Sequence, residues 1–265
     1  MNILVCIKQV PDTTEIKINP ETNTLIREGV PSIVNPFDKY ALETAARIKD
    51  DLDAKIVVIS MGPEQAKSAL KECLSTGADK AYLISDRAFG GSDTLATGYI
   101  LSKAIKTVEA EEGVFDVIVC GFQAIDGDTA QTGPQLAEHL GYPQITGVSK
   151  ILECEENIKV QRDTDNDKET LVSSLPAVIT VTKTEYEPRF PTIKTKMAAS
   201  KAEIKILTIN DIKAEPERSG LTGSPTRVRK TFVPARNLNG VMINEPSARA
   251  SAEKLTRLLV EAGLV

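Results

Sequence analysis

Between residues 2 and 141, strand-length apolar runs alternate with helix-length amphipathic segments, four of each. A strand that lies parallel to its neighbour must be reached by a crossover of a dozen residues or more, normally a helix. The alternation therefore predicts an α/β chain with a parallel sheet covered on both faces. The strands read as 2–8, 56–60, 81–84 and 116–120. The first helix covers 38–49 and sets Ala41, Leu42, Ala45, Ala46 and Ile48 on one side. The second starts at Pro63, where a proline suits a first turn, and stops at Gly77. The third opens at Gly90-Gly91-Ser92-Asp93-Thr94 and runs to about 108; the fourth spans about 129–140 and is closed by Gly141. Between the first strand and first helix, Asn19-Pro20-Glu21-Thr22-Asn23 separates short apolar pieces, which predicts a hairpin over 16–28.

Beyond residue 147 the texture changes. Short strand-like pieces at 148–154, 157–162, 169–173 and 177–182 surround polar turns and read as antiparallel additions to the sheet. Residues 211–247 are rich in Pro, Gly and Arg without periodicity, and a last amphipathic helix spans about 247–262. Such an arm buries little of itself and is expected to order against a partner. The division is thus an α/β domain over 1–210 and an arm with its helix over 211–265.

Several function classes are disfavoured. The longest apolar runs are far shorter than the roughly 20 residues that cross a bilayer, so no membrane insertion is expected. The opening Met1-Asn2-Ile3-Leu4-Val5 lacks the charged region of an export signal. Cys6, Cys73, Cys120 and Cys154 are scattered without a CxxC, which suits reduced thiols in a cytoplasm rather than disulfides or zinc. A net charge of −5, only 4% aromatic residues and no tryptophan argue against a nucleic-acid partner.

Ligands of open parallel sheets bind outside the carboxyl ends of the strands. Four such ends are present: Lys8–Thr13, Ser60–Gly62, the run to Gly91-Ser92-Asp93-Thr94, and Gly121–Gly133. The fourth is the richest. Its glycines allow close backbone approach, its hydroxyls and amides offer donors and acceptors, and it feeds a helix N-terminus that favours phosphate. Asp126 or Asp128 is expected to cap that helix, leaving backbone N–H groups, Thr129 and Thr132 to a ligand. The loop taken alone is equally consistent with a capped helix and no ligand. Neither GxGxxG nor GxxxxGK[ST] occurs. Gly90-Gly91-Ser92-Asp93-Thr94 is out of order and out of place for an ATP pyrophosphatase loop. His139, the only histidine, lies near a helix C-terminus, where dipole contact or exposure explains it better than acid–base work. Where such a rim holds a nucleotide and no credible acid–base set surrounds it, the cofactor is expected to carry the chemistry.

Taken in order, Val5-Cys6-Ile7-Lys8-Gln9-Val10-Pro11-Asp12, Asn35-Pro36-Phe37-Asp38, Ser60-Met61-Gly62-Pro63, Gly77-Ala78-Asp79, Gln123-Ala124-Ile125-Asp126-Gly127-Asp128 with Gln131-Thr132-Gly133, and Glu187-Pro188-Arg189-Phe190 resemble the beta subunit of electron-transferring flavoproteins over essentially the whole chain. The resemblance implies a doubly wound sheet of the adenine-nucleotide alpha-hydrolase-like kind and a heterodimer with an FAD-bearing alpha subunit. It also implies a nucleotide site at Cys6, Asn35, Pro36, Phe37, Asp38, Met61 and the loop Gly121-Phe122-Gln123-Ala124-Ile125-Asp126-Gly127-Asp128-Thr129-Ala130-Gln131-Thr132.

The nucleotide is AMP in conventional members. In bifurcating members it is a second FAD, which takes hydride from NADH and divides the electrons between the alpha-subunit FAD and ferredoxin or flavodoxin. The small residues Gly127, Thr129 and Ala130, the Gln9–Thr13 loop, and Gly223-Ser224-Pro225-Thr226 followed by Arg227, Arg229 and Phe232 resemble the bifurcating kind. Asp93, Thr94 and Thr97 are then expected near the flavin ring. Glu187, Pro188, Arg189 and Ile193 fall in the loop by which the family docks acyl-CoA dehydrogenases. Lys194, Lys196 and Lys201 beside it fit a steering patch or a solvated helix face equally. A free-standing adenine-nucleotide stress-type protein is the alternative from another class; it lacks a reason for the long arm.

Overall fold

The computed structural model describes residues 1–12, 31–229 and 240–265. The hairpin expected at 16–28, and Phe232, lie outside the described residues. Contacts divide the chain into a unit from Met1 to Arg229 and a second from Lys230 to Val265.

The first unit is built in chain order from β1 (Asn2–Cys6), β2 (Gln9–Pro11), β3 (Ser32–Val34), α1 (Pro36–Asp51), β4 (Lys55–Met61), α2 (Lys67–Thr76), β5 (Lys80–Ile84), α3 (Thr94–Glu112), β6 (Val117–Gly121), α4 (Thr132–Leu140), β7 (Gln144–Cys154), β8 (Asn157–Asp163), β9 (Lys168–Ser174), β10 (Ala177–Val181), α5 (Ile193–Lys201) and β11 (Lys205–Leu207). A nine-stranded sheet has the order β11-β5-β4-β1-β6-β10-β7-β8-β9, and β2 pairs with β3 in a small separate ribbon. β1 runs parallel to β4 on one side and to β6 on the other, with Cys6 level with both Ile59 and Cys120. The chain therefore winds outward through β4 and β5, then returns across β1 to β6. That reversal opens a crevice at the carboxyl ends of β1 and β6.

Alternation along each strand assigns the two faces. Ile3, Val5, Ile56 and Val58 pack with Ala41, Ala45 and Leu70 under α1 and α2. Leu4, Val57, Ile59 and Ile118 pack with Tyr99, Ile105 and Leu136 under α3 and α4. Each fully buried Ile, Leu or Val of these layers contributes roughly 1.5–3 kcal/mol relative to exposure.

The antiparallel expectation for residues beyond 147 is correct for β8 and β9 but wrong for β10. β10 runs parallel to both β6 and β7 and fills the gap between them. All five of its residues are buried. Ala177–Val181 is flanked by polar turns, and a short apolar run of this kind carries no mark of direction. β7 is mixed, parallel to β10 and antiparallel to β8. β11, absent from the sequence expectations, adds a parallel edge to β5.

Residues 211–229 are not extended arm. Ile212, Ala214, Ser219 and Ser224 are buried, and the compact unit ends at Arg229 rather than at 210. In the second unit α6 (Ala248–Glu261) is capped by Ser247, whose Oγ accepts the Ala250 N–H at 3.2 Å, and it buries no residue. No helix among the described residues is long and apolar enough to cross a membrane, and none of them form a cluster suited to a metal ion.

Candidate functional site

A cleft of about 1200 Å³ opens at the carboxyl ends of β1, β4, β5 and β6. Its walls are Cys6–Pro11 with Asn35 and Asp38, then Met61–Ala66, then Ser85–Asp86-Arg87 with Phe89–Thr94, and finally Gly121–Ala124, Asp126, Gly127 and Thr129–Gly133. Sequence-distant loops meet here because four parallel strands end level with one another.

Asn35 and Asp38 hold one wall together. Asn35 is the residue before α1, yet its side chain does not cap that helix. Its amide instead donates to Asp38 Oδ1 at 2.9 Å and to the Gln123 carbonyl at 2.9 Å, while its Oδ1 accepts the Ile125 N–H at 3.2 Å. Asp38 Oδ2 accepts the Lys8 N–H at 2.6 Å. Two buried side chains thus join the turn after β1, the start of α1 and the loop after β6. Burial pushes the Asp38 carboxyl up to about 7, against the Asn35 amide and the Lys8 N–H, which favour its charge.

The loop after β6 is shaped by backbone as much as by side chains. Asp128 (φ 55°) and Ala130 (φ 53°) both adopt the left-handed conformation, which costs each non-glycine residue about 1–2 kcal/mol. The Gln123 amide bonds to Asp128, and Asp126 pairs with Lys8 at 2.6 Å. α4 begins at Thr132, three residues later than expected, and Gln131 makes no side-chain cap. Neither Asp126 nor Asp128 caps it, because Lys8 of the turn after β1 holds the first carboxylate and the Gln123 amide the second. The first-turn N–H groups of α4 therefore lack a side-chain acceptor, and Thr132 and Gly133 line the cleft.

The expected site residues divide cleanly. Cys6, Asn35, Asp38, Met61, Asp93, Thr94, Thr97, Gly121, Phe122, Gln123, Ala124, Asp126, Gly127, Thr129, Ala130, Gln131 and Thr132 all line the cleft. Pro36, Phe37, Ile125 and Asp128 do not. Pro36 is the first residue of α1, and Phe37 packs on Phe122 with ring centroids 6.1 Å apart. Ile125 serves through its backbone N–H, and Asp128 is turned onto Gln123.

Asp93 has a role that its position in the sequence does not reveal. Its Oδ1 caps α3 at the Ala96 N–H (3.0 Å) and its Oδ2 accepts the Thr226 N–H (3.0 Å), while Ser224 Oγ accepts the Asp93 N–H (2.8 Å). The Gly220–Thr226 segment is in this way fastened to the cleft rim. Thr94 Oγ1 reaches Gln131 Oε1 at 3.0 Å and links the β5 side of the rim to the β6 side.

The donor set fits the phosphate of a nucleotide. Uncapped helix N–H groups and threonine hydroxyls supply donors, and Lys8 offsets the charge of Asp126. Ile59, Met61, Ile84, Phe89 and Leu101 supply an apolar side for a ring system.

The relatives of the chain point the same way. A model of the electron transfer flavoprotein domain matches residues 22–212. The chain is 48% identical over 270 residues to the electron transfer flavoprotein subunit beta of Megasphaera elsdenii, covering 100% of both. It is 45% identical over 261 residues to that of Clostridium acetobutylicum, covering 98% of this chain and 99% of the other. It is 44% identical over 266 residues, again 100% of both, to the caffeyl-CoA reductase-Etf complex subunit CarD of Acetobacterium woodii. The chain belongs to the electron transfer flavoprotein family. Within it the role is that of the beta subunit, which implies an alpha-subunit partner.

A further feature of this electron transfer flavoprotein subunit departs from simple expectation. Arg189 is not free for a partner: it pairs with Glu43 at 2.8 Å and Asp50 at 2.8 Å and so anchors the loop before α5 to α1. The loop instead presents Phe190 (91% exposed), Ile193 (81%) and Met197 (59%). Thr192 and Thr195 form a reciprocal capping box that holds the start of α5. His139 stands in the last turn of α4, as expected. It packs edge-on against Tyr99 at 6.0 Å, outside the cleft, and burial together with the nearby Arg218 pushes its pKa down.

The cleft residues that sequence reasoning missed are chiefly Asp86, Arg87, Phe89 and Gln65. Their only sequence signal is position directly after a β-strand end.

Proposed function

We propose that this beta subunit binds FAD in the cleft and serves an electron-bifurcating flavoprotein in the cytoplasm. The observation that carries the reading is the extent of the cleft. At about 1200 Å³, it runs from the Gly121–Thr132 loop across the strand ends to Asp86–Thr97. Ordinary ligand sites occupy about 300–1,000 Å³, so the space suits a dinucleotide better than a mononucleotide.

A flavin held there supplies hydride chemistry with NADH and single-electron chemistry with the alpha-subunit FAD and with ferredoxin or flavodoxin. The residues of this chain bind and orient. The uncapped start of α4 with Thr129 and Thr132 receives the diphosphate, and Gly127 and Ala130 leave room for it. Asn35 and Asp38 keep the wall rigid, and Asp93, Thr94 and Thr97 face the ring. An acyl-CoA dehydrogenase-type flavoenzyme is the proposed partner of the Phe190–Met197 surface. In support, one relative is named as part of a caffeyl-CoA reductase complex, whose substrate is likewise a CoA thioester.

The conventional reading, AMP as a structural ligand, uses the same α4 N-terminus and leaves the Asp86–Thr97 end without an occupant. The test is the nucleotide content of the purified alpha–beta heterodimer, before and after incubation with FAD. Two flavins per heterodimer are expected. One flavin with one AMP that FAD does not displace would overturn the proposal.

A further inference from the structure

We propose that Asp38 is the proton-linked latch of the cleft: its carboxyl ties the turn after β1 to the start of α1, and binding of a phosphate-bearing nucleotide beside it takes up a proton at that carboxyl. The inference rests on a nucleotide occupying the cleft, as proposed above.

Asp38 is 5% exposed and lines the cleft. Its oxygens are engaged by the Lys8 N–H and the Asn35 amide, with the Gly121 N–H also favouring its charge, all neutral donors. Among the described residues no cation pairs with it. The Lys8 ammonium favours the ionised form from a distance but is turned to Asp126 at 2.6 Å, and burial outweighs it. A buried carboxylate without a directly paired cation is costly and relieves the cost by holding a proton.

The neighbouring titratable groups supply no alternative acceptor. On β1, Cys6 is hydrogen-bonded to Cys120, an interaction that with burial raises its pKa well above the ordinary value. On α2, burial likewise pushes the Cys73 thiol up. Both thiols stay neutral. On α1, Lys39 is paired with Glu72 of α2 at 2.8 Å. Asp38 is therefore the group on this wall that changes charge near neutrality, in keeping with its carboxyl lying at about 7. An anion entering the cleft beside it repels the ionised form and raises the proton affinity further. The protonated carboxyl keeps an acceptor oxygen for the Lys8 N–H, so the latch stays closed.

The sign follows from linkage. The folded carboxyl lies above its ordinary 3.8, so its contribution to stability is full below that value and is lost as pH rises through about 7. Nucleotide affinity follows the same direction.

The test is calorimetric titration of the nucleotide-stripped heterodimer with AMP and with FAD, in two buffers of different ionisation enthalpy, between pH 6 and pH 8.5. Wild type is expected to take up a fraction of a proton at pH 7.5 and to bind several-fold more tightly at pH 6 than at pH 8.5. With FAD, whose diphosphate keeps its charge over that range, Asp38→Asn is expected to bind with no proton uptake and a flat profile; AMP carries the titration of its own phosphate in both proteins, so there the difference between them is read. Matching profiles in wild type and variant would overturn the latch. The ¹³C carboxyl resonance of Asp38 in the stripped wild-type heterodimer provides a readout free of the variant and of ligand. A midpoint near neutrality that rises on adding AMP supports the latch, and a midpoint in the ordinary carboxylate range overturns it. Failure of wild type to bind either nucleotide, with the neutral midpoint intact, would instead overturn the site reading.

Discussion

Gly121 stands where the backbone of β6 meets the start of α1, and a Cβ built there would lie 2.1 Å from Asp38 Oδ1 and 2.9 Å from the Asp38 nitrogen. No rotamer change removes a clash with backbone. Gly121→Ala is therefore expected to destabilise the chain by about 2 kcal/mol, read as a lower denaturant midpoint, and to release nucleotide on gel filtration. An unchanged midpoint would show that α1 moves aside at no cost. A second residue, remote from the cleft, governs acid stability. Glu112 is buried at the end of α3 and accepts bonds from Lys55, Lys80 and the Tyr82 hydroxyl. Burial alone raises its pKa, but those three donors outweigh it and hold the carboxyl at about 2. Its ordinary value is 4.5, so the stabilisation is complete above that value and is lost as pH falls toward about 2. At pH 7 the network contributes about 2–3 kcal/mol, discounted for the partial exposure of both lysines. Glu112→Gln should lower the midpoint at pH 7, and its deficit should shrink as pH is brought to 3. A deficit independent of pH would contradict this. Both residues are plain in the sequence as types; their roles depend on neighbours dozens of positions away.

At the scale of elements, the loop into α5 separates anchoring from contact. Arg189 fastens it to Glu43, which is buried, whereas Ile193 projects from the capped first turn of α5. Arg189→Ala should cost stability by about 3 kcal/mol, because Glu43 keeps only Arg47 as a cation. Ile193→Ala should leave the midpoint within about 0.5 kcal/mol and weaken docking of the acyl-CoA dehydrogenase-type partner by about 2 kcal/mol. Parallel denaturation and surface-binding measurements distinguish the two, and equal effects of both variants on docking and stability would reject the division of labour. Helix boundaries were legible to within a few residues wherever a cap or stop is local, as at Asp93, Gly77, Gly141 and Ser247. The start of α4 was not, since Asp126 and Asp128 look like caps until Lys8 and Gln123 claim them.

For the molecule as a whole, the compact unit ends at Arg229, and α6 buries nothing in its own unit. A chain truncated after Arg229 is accordingly expected to keep a cooperative melt close to that of the full chain while losing affinity for the alpha subunit. Loss of the cooperative transition would show that residues beyond Arg229 complete the core. What the sequence determined by itself was the alternation of strands and helices, the parallel first half of the sheet, and the rim at which ligand loops gather. Those follow from local apolar periodicity and from the crossover length that parallel pairing demands. Only the tertiary structure decided that β10 inserts between β6 and β7, that Asn35 and Asp38 clamp one cleft wall, and that Gly220–Thr226 is tied to Asp93. Each depends on which distant hydrogen-bonding group remains unpaired after the core has closed, and neither spacing nor composition carries that information.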